Sequence, residues 1–522
     1  MQVNSNKGVH VPSRFIGLAT LVALLSLLLV VSGVTYGADE KILIVALGGE
    51  AWGLNWMDES GDLPGTNIMM NLNDSLARMN YDTAEIYPEL ALEWWPESDT
   101  TWLFRIKEGV KFHKGYGEMT AEDVAFGATS IVQNQYRLKF LFGGIDHWEV
   151  VDKYTVRAHL SAPFTPFLMN TVQGLGGSIV SKDAFEELGR DAMNRTPIGL
   201  GPFEFEEWVP ADHITITKFE DYWDEGYPLL DKVIFRFIPD ATVRQELLIA
   251  GDVHLIDHPL FKDVAMLKED PNIVIQSVPG WNWDYISVGH QDGPFGDKRV
   301  RQAISYAINR QEIADAVYYG EATPAEKPLP PGFLYEDPDA TMYPVEGDLE
   351  KARQLLAEAG YPNGFRATAA TSGRANLRRE LEIVAYQLAK VGIELELNFL
   401  DMSSYSSISH DLGAYDILLE DITIMSADPD SAVRWFWKSG ADLAHGYSNS
   451  EVDDLIERGA AASDSQTRKE IYAELQQVML DEALYVYIVH VNQVRALRKE
   501  VTGFEVTPND MDLLLKYVNL EE

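Results

Sequence analysis

The 522-residue chain contains no cysteine. This absence excludes thiol nucleophiles, iron–sulfur clusters, cysteine-ligated zinc and disulfides. Basic residues are also scarce: 42 lysines and arginines stand against 81 aspartates and glutamates, which gives a net charge of −39. Phosphates would be repelled over most of such a surface, so we predict no nucleic-acid partner. The hydrophobic content of 46% nevertheless indicates a globular protein, and its length allows more than one domain.

Long apolar runs are absent from most of the chain, and the exception lies near its start. Residues 1–37 hold Lys7 and Arg14, then an apolar run over 15–31, then small residues that end at Gly37. This order is typical of a secretory signal peptide, with the mature chain starting at Ala38. A membrane anchor is the alternative, because a run of about 17 residues is near the lower limit for a span. Both interpretations predict export to the periplasm or the extracellular space, and the lack of cysteine predicts no lipid anchor.

Sequence patterns of catalysis and metal binding are missing as well. The 11 histidines form no H-E-x-x-H or H-x-H pattern, and G-x-S-x-G does not occur. We therefore predict no catalytic residue, no metal and no cofactor. With 81 acidic residues, two carboxylates could still meet in a cleft by chance. A secreted carbohydrate-active enzyme that uses paired carboxylates thus remains the alternative function.

The most informative stretch is residues 101–129, TWLFRIKEGVKFHKGYGEMTAEDVAFGAT. Alternating apolar residues over 102–106 predict a strand with one buried face. Gly109 favours a turn after it, since glycine adopts positive φ without steric cost. Thr120 and Asp123 have the spacing of a capping box, so a helix is predicted to begin there.

Two further segments complete a pattern. Residues 294–320, PFGDKRVRQAISYAINRQEIADAVYYG, keep the apolar spacing of an amphipathic helix over 300–308. Residues 197–208, PIGLGPFEFEEW, form a glycine loop that lacks the Lys-Ser/Thr of a phosphate cradle. Together with 101–129, these segments resemble the family 5 extracellular solute-binding proteins. Members of that family are the peptide, oligosaccharide and nickel receptors of ABC importers.

The resemblance covers essentially all of the chain after residue 37 and implies its architecture. It implies an α/β, two-lobed periplasmic-binding-protein fold of the large type, with an appended third subdomain. The implied boundaries are 38–80, 196–286 and 485–522 for lobe I, 81–195 for the appended subdomain, and 287–484 for lobe II. It also implies a monomer that closes by hinge motion on a peptide-like or oligosaccharide-like solute and delivers that solute to an ABC permease without chemistry.

Two segments are candidates for contact with the solute because of their position and their aromatic content. Glu50, Trp52 and Asn55 follow the apolar run 41–47 and the glycines after it, where ligands often bind in α/β folds. Trp281, Trp283 and Tyr285 could stack on a sugar or a peptide side chain. Core packing is the alternative for these aromatic residues.

A third candidate segment departs from the peptide-binding pattern of the family. In peptide-binding members, an aspartate four residues before the counterpart of Pro429 holds the α-ammonium group of the ligand. Met425 occupies that position here, and a thioether makes no charge-assisted bond to an ammonium group. Either the solute is not a peptide or another carboxylate replaces the anchor, with Glu420, Asp421 and Asp428 as the candidates.

Overall fold

The computed structural model describes residues 40–57, 63–134, 141–142, 144–172, 174–288, 293–408, 414–424 and 426–521. The predicted export segment, 1–37, and the candidate site residue Met425 lie outside these ranges. Within the described ranges, no helix has the length and apolar character needed to cross a bilayer.

The first lobe is built on a seven-stranded sheet with parallel strands at its centre. β1 (Ile42–Leu47) pairs in parallel with β10 (Lys232–Phe237) and β11 (Leu255–Asp257). Five of the six residues of β1 are buried, as its uninterrupted apolar sequence predicts for a central strand. The other strands are β8 (Phe203–Val209), β9 (His213–Lys218), β12 (Ile273–Val278) and β19 (Gln493–Arg498), in the order β12-β19-β11-β1-β10-β9-β8.

The second lobe is built on a six-stranded sheet. Its strands are β13 (Asn282–Ser287), β14 (Ala322–Pro324), β15 (Phe365–Ser372), β16 (Ile393–Leu400), β17 (Ile417–Thr423) and β18 (Tyr485–Val491), in the order β14-β18-β13-β17-β15-β16. Helices α7 (Lys298–Ala307), α8 (Arg310–Tyr318), α9 (Leu349–Glu358) and α10 (Ala375–Ala389) pack on this sheet and share one apolar cluster with it. The two large sheets with their helices confirm the predicted α/β class.

The appended subdomain carries a four-stranded antiparallel sheet. Its strands β4 (Ala91–Ser98), β5 (Thr101–Ile106), β6 (Ile145–Asp152) and β7 (Thr155–Leu160) lie in the order β4-β5-β7-β6, and helix α2 (Ala121–Gln133) packs against β6. The strand predicted over 102–106 is therefore confirmed. The capping box is present as well, because the Asp123 carboxylate accepts from the backbone N–H of Thr120 at 2.8 Å.

The amphipathic helix predicted over 300–308 ends one residue early. Ile308 is extended, with ψ of 121°, and Asn309 then caps α8 through a bond from the Glu312 backbone N–H. Arg310 lies just beyond the break. Its buried guanidinium donates to Tyr487 O at 2.8 Å and to Ser305 Oγ at 2.8 Å, and so joins the end of α7 to β18.

Further helices and strands accompany these layers. They are α1 (Leu63–Leu72), β2 (Ala77–Met79), β3 (Ile86–Pro88), α3 (Lys182–Leu188), α4 (Arg190–Arg195), α5 (Ala241–Ala250), α6 (Val264–Leu267), α11 (Met402–Ile408), α12 (Pro429–Phe436), α13 (Ser450–Ala461), α14 (Ser465–Glu482), β20 (Val501–Thr502) and β21 (Asn519–Leu520).

The chain passes between the two large sheets at two places. β12 of the first sheet leads into β13 of the second, and β18 of the second leads back into β19 of the first. The lobe boundaries predicted at 286/287 and 484/485 stay a prediction, because the pairing of strands alone does not delimit a lobe.

Candidate functional site

Strand pairing brings two of the three candidate segments together. β13 and β17 are antiparallel neighbours, with Tyr285 opposite Glu420 and Trp283 opposite Ile422. Because successive side chains of a strand point to opposite faces, the candidates divide between the two sides of the sheet. Trp283 and Tyr285 face α12, where both rings contact Phe436 at 5.0 and 5.6 Å between centroids.

Trp281 lies where the two lobes and the appended subdomain meet. Its ring centroid is 5.3 Å from that of Tyr81 and 5.5 Å from that of Phe333 in the second lobe. Met79 and Met169 belong to the same buried cluster. We call these five residues the interlobe aromatic cluster. Flat apolar rings and flexible methionines at such a junction suit contact with a small organic solute.

Trp281 is 2% exposed, and Trp283 and Tyr285 of the second lobe are buried to the same degree. Trp283 is 1% exposed and Tyr285 2%, and both pack among aromatic residues of that lobe. Both rings pack in the core in this structure, and their contact with a solute stays a prediction. They lie on β13, which begins directly after Trp281.

Glu420 is buried on the same side of the sheet as Tyr285. Its Oε2 accepts a hydrogen bond from Ser287 Oγ at 2.8 Å. Burial raises the pKa of Glu420 to about 7, against the hydrogen bonds from Ser287 and Tyr285, which lower it. This carboxyl group thus has partners within its own lobe.

Asp421 points to the opposite side of the sheet and forms an ion pair with Arg374. Arg374 follows the carboxyl end of β15 directly after Gly373, and its side chain is 44% exposed. Parallel strands such as β15 and β17 bind ligands at their carboxyl ends. Sequence reasoning missed Arg374, although the glycine before it marks the end of the strand.

Sequence reasoning also missed a buried acidic group beside Asp421. Asp284, its neighbour across the sheet, accepts a hydrogen bond from the hydroxyl of Tyr318 in α8. The same hydroxyl lies 2.9 Å from Glu380 Oε2 in α10. Burial raises the pKa of both carboxyl groups, and repulsion adds to it, from Asp421 at Asp284 and from Asp284 at Glu380. Only the fold brings these three residues together, since they are far apart in sequence.

Asp428 serves as the N-cap of α12, and its carboxylate is fully engaged. Oδ1 accepts from the backbone N–H of Asp430 at 3.0 Å, and both oxygens accept from the Arg468 guanidinium at 2.7 and 2.9 Å. Asp428 and Arg468 are each 3% exposed or less as residues. A bidentate pair of this kind leaves little of the carboxylate for a solute.

The third segment lies in the first lobe. Glu50 accepts from Trp208 Nε1 at 2.9 Å and from the Ala211 backbone N–H at 3.1 Å. Asn55 is buried, and its backbone N–H donates to Asn194 Oδ1, whereas Trp52 is 52% exposed. The hydrogen bonds of Glu50 thus join it to the first lobe, whereas that of Asn55 reaches Asn194, within the stretch predicted for the appended subdomain.

Metal chemistry finds no support at this site. Within the described ranges, no three histidine, aspartate or glutamate side chains are placed to hold a metal ion together. The arrangement offers aromatic rings and an arginine at a strand end, which are groups that bind small solutes.

Comparison with known proteins shows the family of the chain. The model of bacterial extracellular solute-binding proteins, family 5 Middle, matches residues 85–443. The chain belongs to this family. The dipeptide-binding protein of Escherichia coli (strain K12) is 30% identical over 517 residues, covering 93% of this chain and 96% of that protein.

Solved structures agree on the fold. The periplasmic binding protein DppA from Helicobacter pylori, in complex with peptide STSA, has a TM-score of 0.82 at 27% identity, covering 92% of this chain and 98% of that one. AgaA from A. tumefaciens R10, in complex with agropinic acid, has a TM-score of 0.81 at 27% identity, covering 92% and 99%. The two-lobed periplasmic-binding-protein fold is thus confirmed.

Membership in family 5 also settles the class of function. The chain is a solute-binding receptor of the ABC transporter type and not an enzyme, as predicted. The alternative of a carbohydrate-active enzyme has no support, because the relatives are binding proteins. Family 5 proteins bind peptides or other small solutes and deliver them to permeases.

Proposed function

We propose that this chain is an exported receptor that encloses a peptide-like solute between its lobes and delivers it to an ABC permease. The interlobe aromatic cluster carries the proposal, because Trp281 contacts Tyr81 on one side and Phe333 of the second lobe on the other. A solute held there would touch both lobes at once. That double contact is what couples binding to closure.

The relatives favour a peptide-like solute over an oligosaccharide. One relative is named for dipeptides, and one solved relative holds the peptide STSA. Another holds agropinic acid, so a fold this similar also accepts a solute that is not a peptide. Oligosaccharides remain the second candidate, supported by the aromatic surface at Trp281.

We further propose that the solute needs no free α-amine. The sequence places Met425 where peptide-binding members carry their anchoring aspartate. The three carboxylates that could replace it all have partners: Glu420 has Ser287, Asp421 has Arg374, and Asp428 has Arg468. Recruiting any of them for an ammonium group would disturb an existing bond, at a cost of roughly 1–3 kcal/mol.

A thermal-shift comparison tests both proposals. The probes are the peptide Ser-Thr-Ser-Ala, its N-acetylated form, a manno-oligosaccharide and a nickel–histidine chelate. We expect both peptides to raise the melting temperature equally, because a ligand that binds only the folded state stabilises it by mass action. Trp281→Ala should abolish most of this shift, whereas Trp95→Ala, at an exposed position of β4, should leave it unchanged.

The other outcomes are equally informative. A shift from the oligosaccharide alone would replace the peptide by a sugar as the solute. A shift that requires the free amine would show that the inference from Met425 is wrong. Delivery is tested by adding the loaded receptor to the reconstituted permease, whose ATPase rate should rise. The predicted cleavage before Ala38 is tested by N-terminal sequencing of the exported chain.

A further inference from the structure

A segment of the appended subdomain reaches across to the second lobe. Residues 164–172 follow β7, and most of their side chains are buried. The backbone N–H of Thr165 donates to Ala460 O at 2.8 Å, and Thr165 Oγ1 donates to Ala462 O at 2.8 Å. One threonine thus forms two hydrogen bonds with the end of α13, almost 300 residues later.

The carbonyl groups at the end of α13 need such partners. The last four carbonyls of a helix have no intrahelical donor. In α13, Gly459 O accepts from Arg468 Nε at 2.9 Å, and Ala460 O accepts from Thr165. The second lobe therefore satisfies one carbonyl itself and leaves the next to the appended subdomain.

A second contact joins the same two bodies. Ser426 Oγ donates to Asn170 Oδ1 at 2.5 Å. Asn170 is 3% exposed and Ser426 1%, so the bond is shielded from water. Separating the two partners of such a bond costs the most free energy when both groups stay buried without another hydrogen-bond partner.

The buried ion pair Asp428–Arg468 links these two contact points. The Asp428 backbone N–H donates to Ser426 Oγ at 3.2 Å and so orients the hydroxyl that meets Asn170. On the other side of the pair, Arg468 holds the Gly459 carbonyl beside the two that Thr165 contacts. The carboxylate of Asp428 thus fixes the surface on which the segment 164–172 docks.

We propose that Thr165 and Asn170 are positioning residues for closure of the receptor. With Ser426 and the end of α13 they form a closing clasp, which exists only while the appended subdomain and the second lobe are in contact. The clasp touches no solute, yet it stabilises the closed state and thereby raises the apparent affinity for any solute. This inference rests on the proposed function only in assuming that the lobes open and close.

Spin-label distances in the solute-free full chain test the clasp directly. The chain has no native cysteine, so labels at the exposed positions Asp99→Cys in the appended subdomain and Lys469→Cys in the second lobe are the sole attachment points. Thr165→Val removes the hydroxyl and keeps the shape of the side chain. The closed-to-open ratio should fall by roughly 2- to 10-fold, the factor that corresponds to one net hydrogen bond.

Matched variants separate the clasp from general loss of structure. Thr165→Ser retains the hydroxyl and should keep the wild-type distances. Ser161→Ala removes a hydroxyl of the same loop whose hydrogen bond among the described residues goes to Gly144 O inside the subdomain, and it should change nothing. Ser426→Ala removes the hydroxyl that the second lobe contributes to the clasp, and it should shift the label distances toward the open state. It therefore tests the clasp independently if Thr165→Val does not fold.

Distances that stay unchanged in both Thr165→Val and Ser426→Ala would overturn the clasp. Because no solute is present, this result is independent of the thermal-shift screen. A receptor that binds no peptide could still show the clasp, and a peptide receptor could lack it. The two failures are therefore distinguishable.

Discussion

The hydroxyl of Tyr318 has one hydrogen and lies between the carboxyl groups of Asp284 and Glu380. If both carboxyl groups were ionised, the hydroxyl could donate to only one of them, and its contact with the other would join two oxygens without a hydrogen between them. Two negative charges would also be buried, since Asp284 is 2% exposed and Glu380 is 0% exposed. One proton shared by the pair removes both problems. Asp421 faces the pair and raises the pKa of both carboxyls further, whereas Arg374 lowers the pKa of Asp284.

This shared proton predicts a pH dependence of stability. The folded chain binds a proton that the unfolded chain releases above the ordinary aspartate value of 3.8, so the free energy of unfolding falls as pH rises from there toward neutrality. The slope for one proton is at most about 1.4 kcal/mol per pH unit. Asp284→Asn, which cannot ionise, should reduce the difference between the free energies of unfolding measured in urea at about pH 5 and about pH 7.5. The control Asp99→Asn, at an exposed position, should leave this pH dependence unchanged. An unchanged pH dependence in Asp284→Asn would refute the shared proton.

Single residues are also where sequence reasoning reached least far. It identified Trp281 as a candidate for the solute site, and the structure places this ring at the junction of the lobes. It could not see that Arg468, forty residues away, engages the carboxylate of Asp428. Partners of a buried charge are chosen by the fold, and a local pattern carries no information about them.

At the scale of elements, the glycine loop 197–202 shows why its pattern requires glycine. A Cβ at Gly199 would lie 1.9 Å from Leu72 O, and one at Gly201 would lie 2.6 Å from the backbone nitrogen of Asn73. The loop therefore packs backbone against backbone at the end of α1. Neither contact can yield by rotating a side chain.

Gly199→Ala should consequently destabilise the chain by about 2 kcal/mol or more, because the backbone must move to admit the methyl group. The matched control is Gly127→Ala inside α2, where the new Cβ would sit 3.5 Å from the ring of Trp56. Alanine in a helix interior gains roughly 0.5–1 kcal/mol over glycine. Denaturant midpoints compare the two variants, and equal effects would contradict this account of the loop.

The sequence predicted individual helices and strands better than it predicted the contacts of single residues. The strand over 102–106 and the capped helix after Thr120 follow from alternation and capping, which are local. The break after Ala307 was missed because apolar spacing continues through Ile308. Just beyond the break lies the buried side chain of Arg310, whose acceptor Tyr487 O belongs to β18, far away in sequence.

At the scale of the whole molecule, the net charge of −39 acts against the compact state. Added salt screens this self-repulsion, since the Debye length falls to about 10 Å at 0.1 M. We expect the melting temperature of the solute-free protein to rise by a few degrees from low to moderate NaCl, and equally in KCl. A melting temperature that stays constant or falls would show that local ion pairs outweigh the general repulsion.

The arrangement of the lobes came from the family resemblance and not from local physics. Contacts such as Tyr81 with Trp281, or Thr165 with the end of α13, join residues hundreds of positions apart. Alternation and capping describe neighbours in sequence and are silent about such pairs. The interlobe surfaces, which decide how the receptor closes, therefore had to come from the structure.

The two passages of the chain between the large sheets lie side by side. β12 is the antiparallel neighbour of β19, and β13 that of β18, so one two-stranded ribbon continues from sheet to sheet. At Gly280 the two strands approach so closely that a Cβ would lie 2.3 Å from Val491 O. In mechanical terms, the ribbon is a narrow, flexible connection between two stiffer lobes. We expect the few peptide units around Gly280 to set how far the lobes can rotate, and the neighbouring Trp281 places the proposed solute contact directly beside them.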